Sequence, residues 1–251
     1  MYDFKKIRYK RERWLDPGEE QIWLDGNHED FETVKKKYTW LADNTDYPKR
    51  GMHDEVELKE FYDNVKLFIK KNTITSALDI GCGKGGFCNV LKNYCSTVHG
   101  LDFAFKPDEK SINKGINFIN GNAHEIPLPD KCVDLVTSFD FLEHVHPDYL
   151  DKTIEEMFRV GCKYMIHRIA GAPSRCYHDR VGQLHIIQEK YEPFWKKQVF
   201  KPHVKDLRQI GYIPYDNYCK ESDIPEGPYG PANFNVMERK GGLLIFLNDS
   251  V

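Results

Sequence analysis

The apolar positions between residues 54 and 70 recur at the spacing of a helix. Three or four residues separate successive members of the set, with charged residues between them. This spacing places the apolar side chains on one face of an amphipathic helix. The set consists of Leu58, Phe61, Val65 and Phe68.

From residue 76 onward, short apolar runs alternate with helical segments. Strands that alternate with helices favour a parallel sheet with right-handed crossovers. The chain then closes with two more candidate strands, at 211–218 and 232–248, and we expect an antiparallel hairpin there because no long helix fits between 237 and 248. The earlier candidate strands are 76–80, 96–102, 116–122, 133–140 and 162–170.

The first fifty residues differ from the rest of the chain. Residues 1–14 carry six Lys or Arg against two acids, and residues 15–32 carry seven acids and no Lys or Arg. Trp14, Trp23 and Trp40 are spread through this stretch and need a surface to pack against. The interpretation is an N-terminal cap or lid over 1–53, followed by one α/β domain over 54–251 that contains an insertion at 171–203.

Composition and charge exclude several classes of protein. The chain has 251 residues, 36 Lys plus Arg against 39 Asp plus Glu, and a net charge of −3, so general binding to nucleic acid is not expected. No apolar run is long enough to span a bilayer, and the N-terminus has no signal-peptide pattern. The seven cysteines include no C-x-x-C pair. These features predict a cytoplasmic protein with free thiols and no membrane partner.

A glycine-rich turn follows the first candidate strand. In LDIGCGKGGF, Gly81, Gly83 and Gly86 satisfy G-x-G-x-x-G, and Asp102 follows at the end of the next strand. As a bare pattern this is the fingerprint of a dinucleotide-binding oxidoreductase. Asp79 favours another ligand, because its carboxylate would face a bound pyrophosphate at close range. A ligand with an ammonium group, a sulfonium and a ribose, but no phosphate, is attracted instead. S-adenosylmethionine (SAM) is such a ligand.

Three motifs in order carry a resemblance to a known family. LDIGCGKGG, the acid in HGLDFA, and NAHEIPLPDKCVDLVTSFDFLEHV resemble the successive motifs of class I SAM-dependent methyltransferases, over residues 54–170 or so. The resemblance implies a Rossmann-like, mostly parallel sheet of seven strands in the order 3-2-1-4-5-7-6, with strand 7 antiparallel and helices on both faces.

The resemblance also assigns roles in cofactor binding. Asp79, Gly81 and Gly83 hold the methionine end, and Asp102 holds the ribose. Asn122 stands where the family usually has an acid, although an amide oxygen can still accept a hydrogen bond. The other positions are Phe103 against the adenine, Ala123 at the adenine edge, and Phe139 and Asp140 near the transferred methyl group.

The acidic and imidazole side chains after strand four allow two interpretations. Asp140, Glu143 and His144, with His185 further along, are similar to the metal-binding set of metal-assisted O-methyltransferases. Such oxygen and nitrogen ligands suit Mn, Fe, Co or Zn ions better than Mg. The alternative is that His144 or His185 acts as a general base, or that these residues only line the pocket.

The insertion is expected to cover the acceptor. Its basic and aromatic side chains suit a phosphate, a carboxylate or sugar hydroxyls, although for any one of them a solvated basic surface is the more common explanation. The predicted function is O-methylation of a small polar acceptor such as a sugar, a nucleotide-sugar or a phosphate-linked metabolite of polysaccharide or secondary metabolism. The alternatives are N-methylation of a small amine and a non-catalytic SAM-binding module. The acceptor-binding candidates are Arg168, Arg175, Tyr177 and His178.

Overall fold

The fold is described from a computed structural model. It covers residues 30–44, 59–104, 106–107, 109–169, 177–178, 182–183, 186–187, 199, 209–214 and 242–247. None of the helices in these ranges is long and apolar enough to cross a membrane.

Seven strands form the main sheet, in the order β3-β2-β1-β4-β5-β9-β8. Strands β1 to β5 are parallel, β9 runs antiparallel to β5, and β8 runs antiparallel to β9. The predicted α/β fold is confirmed. The strands are β1 Ser76–Ile80, β2 Thr97–Asp102, β3 Asn117–Asn120, β4 Val133–Phe139, β5 Gly161–Ile169, the short pair β6 Tyr177–His178 and β7 Gly182–Gln183, then β8 Gln209–Pro214 and β9 Gly242–Leu247.

The helices follow the predicted alternation. The helix expected at 54–70 occupies Lys59–Lys71, where Val65 is buried and Phe68 packs against the core. His146 caps the helix that follows β4, and Pro147 occupies its first turn, where the absence of an amide hydrogen is tolerated. The helices are α1 Phe31–Asn44, α2 Lys59–Lys71, α3 Gly86–Leu91, α4 Glu109–Asn113 and α5 Pro147–Val160, with a 3-10 turn at Leu142–His144.

Two apolar clusters cover the two faces of the sheet. Alternate residues of a strand point to opposite faces, so each strand contributes to both clusters. Helix α5 packs on one face, and α2 and α3 pack on the other, as a doubly wound sheet requires. The first cluster includes Leu78, Ile80, Val136, Met165, Leu150, Ile154 and Met157, and the second includes Ala77, Leu135, Ile166, Val65, Ile69, Phe87 and Leu91.

The last two predicted strands are present where the structure describes the chain. The predicted strand at 211–218 is observed at Gln209–Pro214, and the one at 232–248 is observed at Gly242–Leu247. They pair in antiparallel fashion, with Ile213 opposite Leu243. The residues between them lie outside the described part of the chain.

Gly100 in β2 supplies a test of this packing. A methyl group on Gly100 would lie 2.9 Å from each of Cys82 Sγ, Cys88 Sγ and Phe118 Cδ1. Gly100→Ala should therefore lower the free energy of unfolding by about 1–3 kcal/mol through overpacking. Urea denaturation followed by circular dichroism measures the change. Gly121→Ala is the matched control, because its nearest contact would be an ordinary 3.4 Å from Leu101. Equal stability of the two variants would contradict the packing described here.

Candidate functional site

Three glycines turn the chain sharply between β1 and α3. Gly81, Gly83 and Gly85 have φ angles of 73°, 51° and 83°, in the left-handed region that glycine adopts without strain. The amide of Gly81 donates to the Leu101 carbonyl at 2.8 Å, which ties the turn to β2. A methyl group on Gly83 would meet nothing within 4 Å, so the backbone there faces open space that a ligand can approach closely.

Asp79 lies at the end of β1, directly before this turn. It is 2% exposed, and its carboxylate accepts hydrogen bonds from Thr137 Oγ1 at 2.9 Å and from Cys88 Sγ at 3.6 Å. Burial raises its pKa to about 7, although these two hydrogen bonds oppose the shift. A cationic group bound nearby would therefore stabilise the ionised carboxylate.

Asp102 ends β2 on the other side of the turn. Its two carboxylate oxygens accept hydrogen bonds from the amides of Gly83, at 3.0 Å, and Ala104, at 2.8 Å. Burial raises the pKa of Asp102, and the two amides oppose that shift. The predicted ribose-binding carboxylate is thus held beside the glycine turn. The Gly83 amide, predicted to hold the methionine end, donates to Asp102.

The residues predicted to surround an adenine lie next to Asp102. Phe103 meets the rings of Phe31 and Tyr38 edge to face, at centroid distances of 6.2 and 6.0 Å. Asn122 Oδ1 is buried and has no hydrogen-bond partner within the described residues. An unsatisfied buried acceptor costs about 1–3 kcal/mol. The exocyclic amino group of an adenine is a donor that would satisfy it, so these residues fit SAM.

At the end of β4, the acid near the expected methyl position is ion-paired. Asp140 adopts a left-handed φ of 46°, and its carboxylate lies 3.0 Å from Nη1 of Arg168. The Arg168 side chain is 8% exposed and that of Asp140 is 22% exposed. Burial raises the pKa of Asp140 against the opposing charge of Arg168. Arg168, predicted to bind the acceptor, is thus the buried counter-ion of Asp140. Phe139 is also buried, against Phe87.

The predicted metal site is not supported. Asp140 is engaged by a guanidinium group, Glu143 is fully buried, and Nδ1 of His144 is 2.5 Å from the Tyr38 hydroxyl. A metal ion at Asp140 would have to displace the positive charge of Arg168. No three potential ligands converge on a metal position in the described ranges. The His185 side chain lies outside those ranges.

The remaining acceptor candidates are only partly described. Tyr177 and His178 form β6, which pairs with β7, but their side chains lie outside the described residues, as does Arg175. The amides of Ile186 and Ile187 both donate to the Glu143 carbonyl at 2.9 Å. The backbone just after His185 therefore lies beside the 3-10 turn that carries His144.

The sequence analysis did not identify the side chains of α1 that reach the site. Phe31 contacts the rings of His124 and Tyr149 at centroid distances of 5.0 and 4.8 Å, and Tyr38 contacts His144. Lys106 forms an ion pair with Asp43 at the end of the same helix. The many aromatic residues before residue 50 indicated that this segment packs against a surface, but not which residues form that surface.

Asp79 should make stability depend on pH. Its pKa is about 7 in the folded protein against 3.8 ordinarily, so the folded state binds an extra proton between these values. The free energy of unfolding should therefore fall as the pH rises through this window, by about 1.4 kcal/mol for each unit by which the pKa is raised. Asp79→Asn removes this pH dependence. Its free energy of unfolding, measured by urea denaturation, should therefore increase relative to that of the wild type between pH 4 and pH 8.

Asp134→Asn is the matched control for this pH dependence. Hydrogen bonds from Lys163, Thr75 and Ser76 lower the pKa of Asp134, against the opposing effect of burial. Its stabilising contribution is complete above the ordinary carboxyl pKa and is lost only in acid. The difference between Asp134→Asn and the wild type should therefore stay constant from pH 5 to pH 8. A constant difference for Asp79→Asn as well would contradict the raised pKa.

Comparisons with known proteins agree with this geometry. The family model described as a methyltransferase domain matches residues 78–163. Ajmaline N-methyltransferase of Rauvolfia serpentina is 35% identical over 95 residues, which cover 34% of this chain and 31% of that protein. Demethylmenaquinone methyltransferase of Lysinibacillus sphaericus is 33% identical over 137 residues, covering 51% of this chain and 57% of that protein. These matches span between about a third and somewhat over half of the relatives' length.

Solved structures share the fold at low sequence identity. Phosphoethanolamine N-methyltransferase 1 of Haemonchus contortus has a TM-score of 0.58 at 15% identity, covering 90% of this chain and 51% of that one. The N-methyltransferase NodS of Bradyrhizobium japonicum, in complex with S-adenosylhomocysteine (SAH), has a TM-score of 0.53 at 12% identity, covering 86% and 98%. Residues 78–163 thus match a methyltransferase domain, and the chain shares its fold with solved methyltransferases.

Proposed function

We propose that this chain transfers the methyl group of SAM to a small polar acceptor. The observation that carries the proposal is the pair of carboxylates, Asp79 and Asp102, on either side of one glycine turn. They end adjacent parallel strands, where Asp79 lies opposite Gly100 and Ile80 lies opposite Leu101. A buried carboxylate and a partly buried one at these positions repel a diphosphate and attract an ammonium group and ribose hydroxyls.

The residues of the proposed SAM site have separate tasks. Asp79 attracts the amino group of the methionine end, Asp102 accepts from the ribose, and Asn122 accepts from the adenine. When bound, SAM supplies a methyl group already activated by a sulfonium. The protein then mainly has to orient the acceptor and exclude water.

The acceptor is proposed to bind beyond the carboxyl ends of β4 and β5. Asp140 is partly exposed and can accept a hydrogen bond from an acceptor hydroxyl, while Arg168 favours the ionised form of its carboxylate against the effect of burial. A hydroxyl is a poor nucleophile unless a base takes its proton, and His144 is the imidazole nearest in sequence to Asp140. These residues favour an oxygen acceptor, with His144 as base. A role for His185 as the base stays a prediction.

N-methylation of a small amine is the second candidate. A neutral amine has a lone pair and needs no base, and a partly exposed carboxylate such as Asp140 can accept a hydrogen bond from its N–H group. Three of the proteins compared above are N-methyltransferases by name. Product analysis by mass spectrometry, with sugars, sugar phosphates and small amines as acceptors, distinguishes the two candidates. A protein that binds SAH tightly and methylates none of them would favour a non-catalytic module.

Binding of SAH tests the cofactor proposal directly. Isothermal titration calorimetry should show binding of SAH and none of NAD. Asp102→Asn should weaken SAH binding by tenfold or more, because hydrogen bonds to a charged acceptor contribute about 1.5–3 kcal/mol. Glu155→Gln, a substitution on the exposed surface of α5, should leave the affinity unchanged. Binding of NAD in preference to SAH would overturn the proposal.

Metal removal tests the arrangement around Asp140. Because Arg168 occupies the carboxylate of Asp140, we expect the methylation rate to be the same before and after EDTA treatment. The rate is measured with the best acceptor found in the panel, with and without added Mn²⁺. Loss of activity in EDTA and its recovery on adding Mn²⁺ would restore the metal-assisted mechanism.

A further inference from the structure

We propose that Tyr38 of α1 is a positioning residue for the imidazole of His144. This inference rests on the proposed function and assigns it a residue from outside the sheet. The Tyr38 hydroxyl and Nδ1 of His144 are 2.5 Å apart, although the two residues are 106 positions apart in the chain. Their rings stand nearly perpendicular, at 82°, with centroids 5.6 Å apart. The contact therefore combines a short hydrogen bond with an edge-to-face ring pair.

Helix α1 is anchored well enough to act in this way. Val34 and Leu41, on either side of Tyr38 along the helix, are buried. Phe31, near the start of the helix, contacts Phe103, His124 and Tyr149. A tyrosine on a helix fixed at several points loses little further freedom when it binds His144. The hydroxyl can therefore hold the ring in one orientation.

The backbone under His144 is held as firmly as its ring. The amide of His144 donates to the Phe141 carbonyl at 2.9 Å, which closes the 3-10 turn. The Glu143 carbonyl accepts from the amides of Ile186 and Ile187, both at 2.9 Å. With the backbone and Nδ1 both fixed, the imidazole ring has one orientation and Nε2 faces one direction.

The Tyr38 hydroxyl can bind either tautomer of His144, because a hydroxyl both donates and accepts. In one arrangement Nδ1–H donates to the Tyr38 oxygen, and Nε2 is then an unprotonated base. In the other, the Tyr38 hydroxyl donates to Nδ1, and Nε2 carries the proton. Only the first arrangement lets Nε2 take the proton that an acceptor hydroxyl gives up. The first arrangement is therefore the one that a base at His144 requires of the folded protein.

Tyr38 also connects His144 to the proposed cofactor site. Its ring contacts Phe103 at a centroid distance of 6.0 Å, and Phe103 directly follows the ribose-binding Asp102. The Tyr38 side chain thus contacts both Phe103, which is predicted to pack against the adenine, and His144, the candidate base. The position of α1 would then set the distance between cofactor and base.

Nuclear magnetic resonance on the full chain tests the proposal without an acceptor. Two-bond proton–nitrogen spectra of protein labelled with ¹⁵N-histidine report the tautomer of each histidine, and His144→Gln identifies the signals of His144. We expect Nδ1–H in the wild type and a shift toward Nε2–H in Tyr38→Phe, which keeps the ring and loses only the hydroxyl. Tyr164→Phe is the matched control, because it removes a hydroxyl that is bonded to Asn72.

Two outcomes would overturn the positioning role. One is Nε2–H at His144 in the wild type, and the other is a tautomer that does not change in Tyr38→Phe. Calorimetry with SAH keeps this test separate from the proposed function. If the wild type does not bind SAH, the proposed function is wrong whatever the spectra show. With an acceptor in hand, Tyr38→Phe should lower kcat roughly tenfold or more and leave the KM for SAM unchanged.

Discussion

The buried carboxylate of Asp79 is the interaction on which the rest of the site depends. It lies at the end of a central strand, bonded to Thr137 of the neighbouring strand β4 and to Cys88 of α3. Removing a carboxylate from water is unfavourable, and its raised pKa is the direct sign of that cost. The protein retains a destabilising group at the point where the strand order reverses, which is where open α/β sheets bind their ligands.

The second constraint is the way in which charge is balanced at the neighbouring strand ends. Asp102 is stabilised by backbone amides, whereas Asp140 is stabilised by the guanidinium of Arg168. Amides carry no net charge and so do not neutralise the carboxylate of Asp102, while Arg168 offsets much of the charge of Asp140. The edge of the sheet thus presents the carboxylates of Asp79 and Asp102 on the cofactor side and an ion pair on the acceptor side.

The sequence predicted those parts of the site that are local along the chain. The glycine turn and Asp79 lie within a few residues of each other, and alternating strands and helices determine which strand ends are neighbours. It could not predict that Asp140 meets Arg168, because this contact depends on the register in which Phe139 lies opposite Arg168. The metal hypothesis is unsupported for a related reason, since residue spacing does not report that the 3-10 turn buries Glu143.

The contact between Tyr38 and His144 was beyond the reach of sequence patterns for a different reason. The aromatic residues before residue 50 required a packing surface, but the orientation of a helix on that surface depends on the shapes of both partners. Only the structure gives the direction of the Tyr38 hydroxyl.

The amides of Gly83 and Ala104 have a thermodynamic consequence for ligand capture. They already hold the two oxygens of Asp102 in place, so little side-chain rotation is left to lose when a ribose arrives. Immobilising a free side chain on association costs about 0.5–1.5 kcal/mol, and here folding has met that cost in advance. Affinity for a nucleoside therefore depends in part on the stability of the domain, and a substitution that loosens the glycine turn would weaken the complex without touching the ligand.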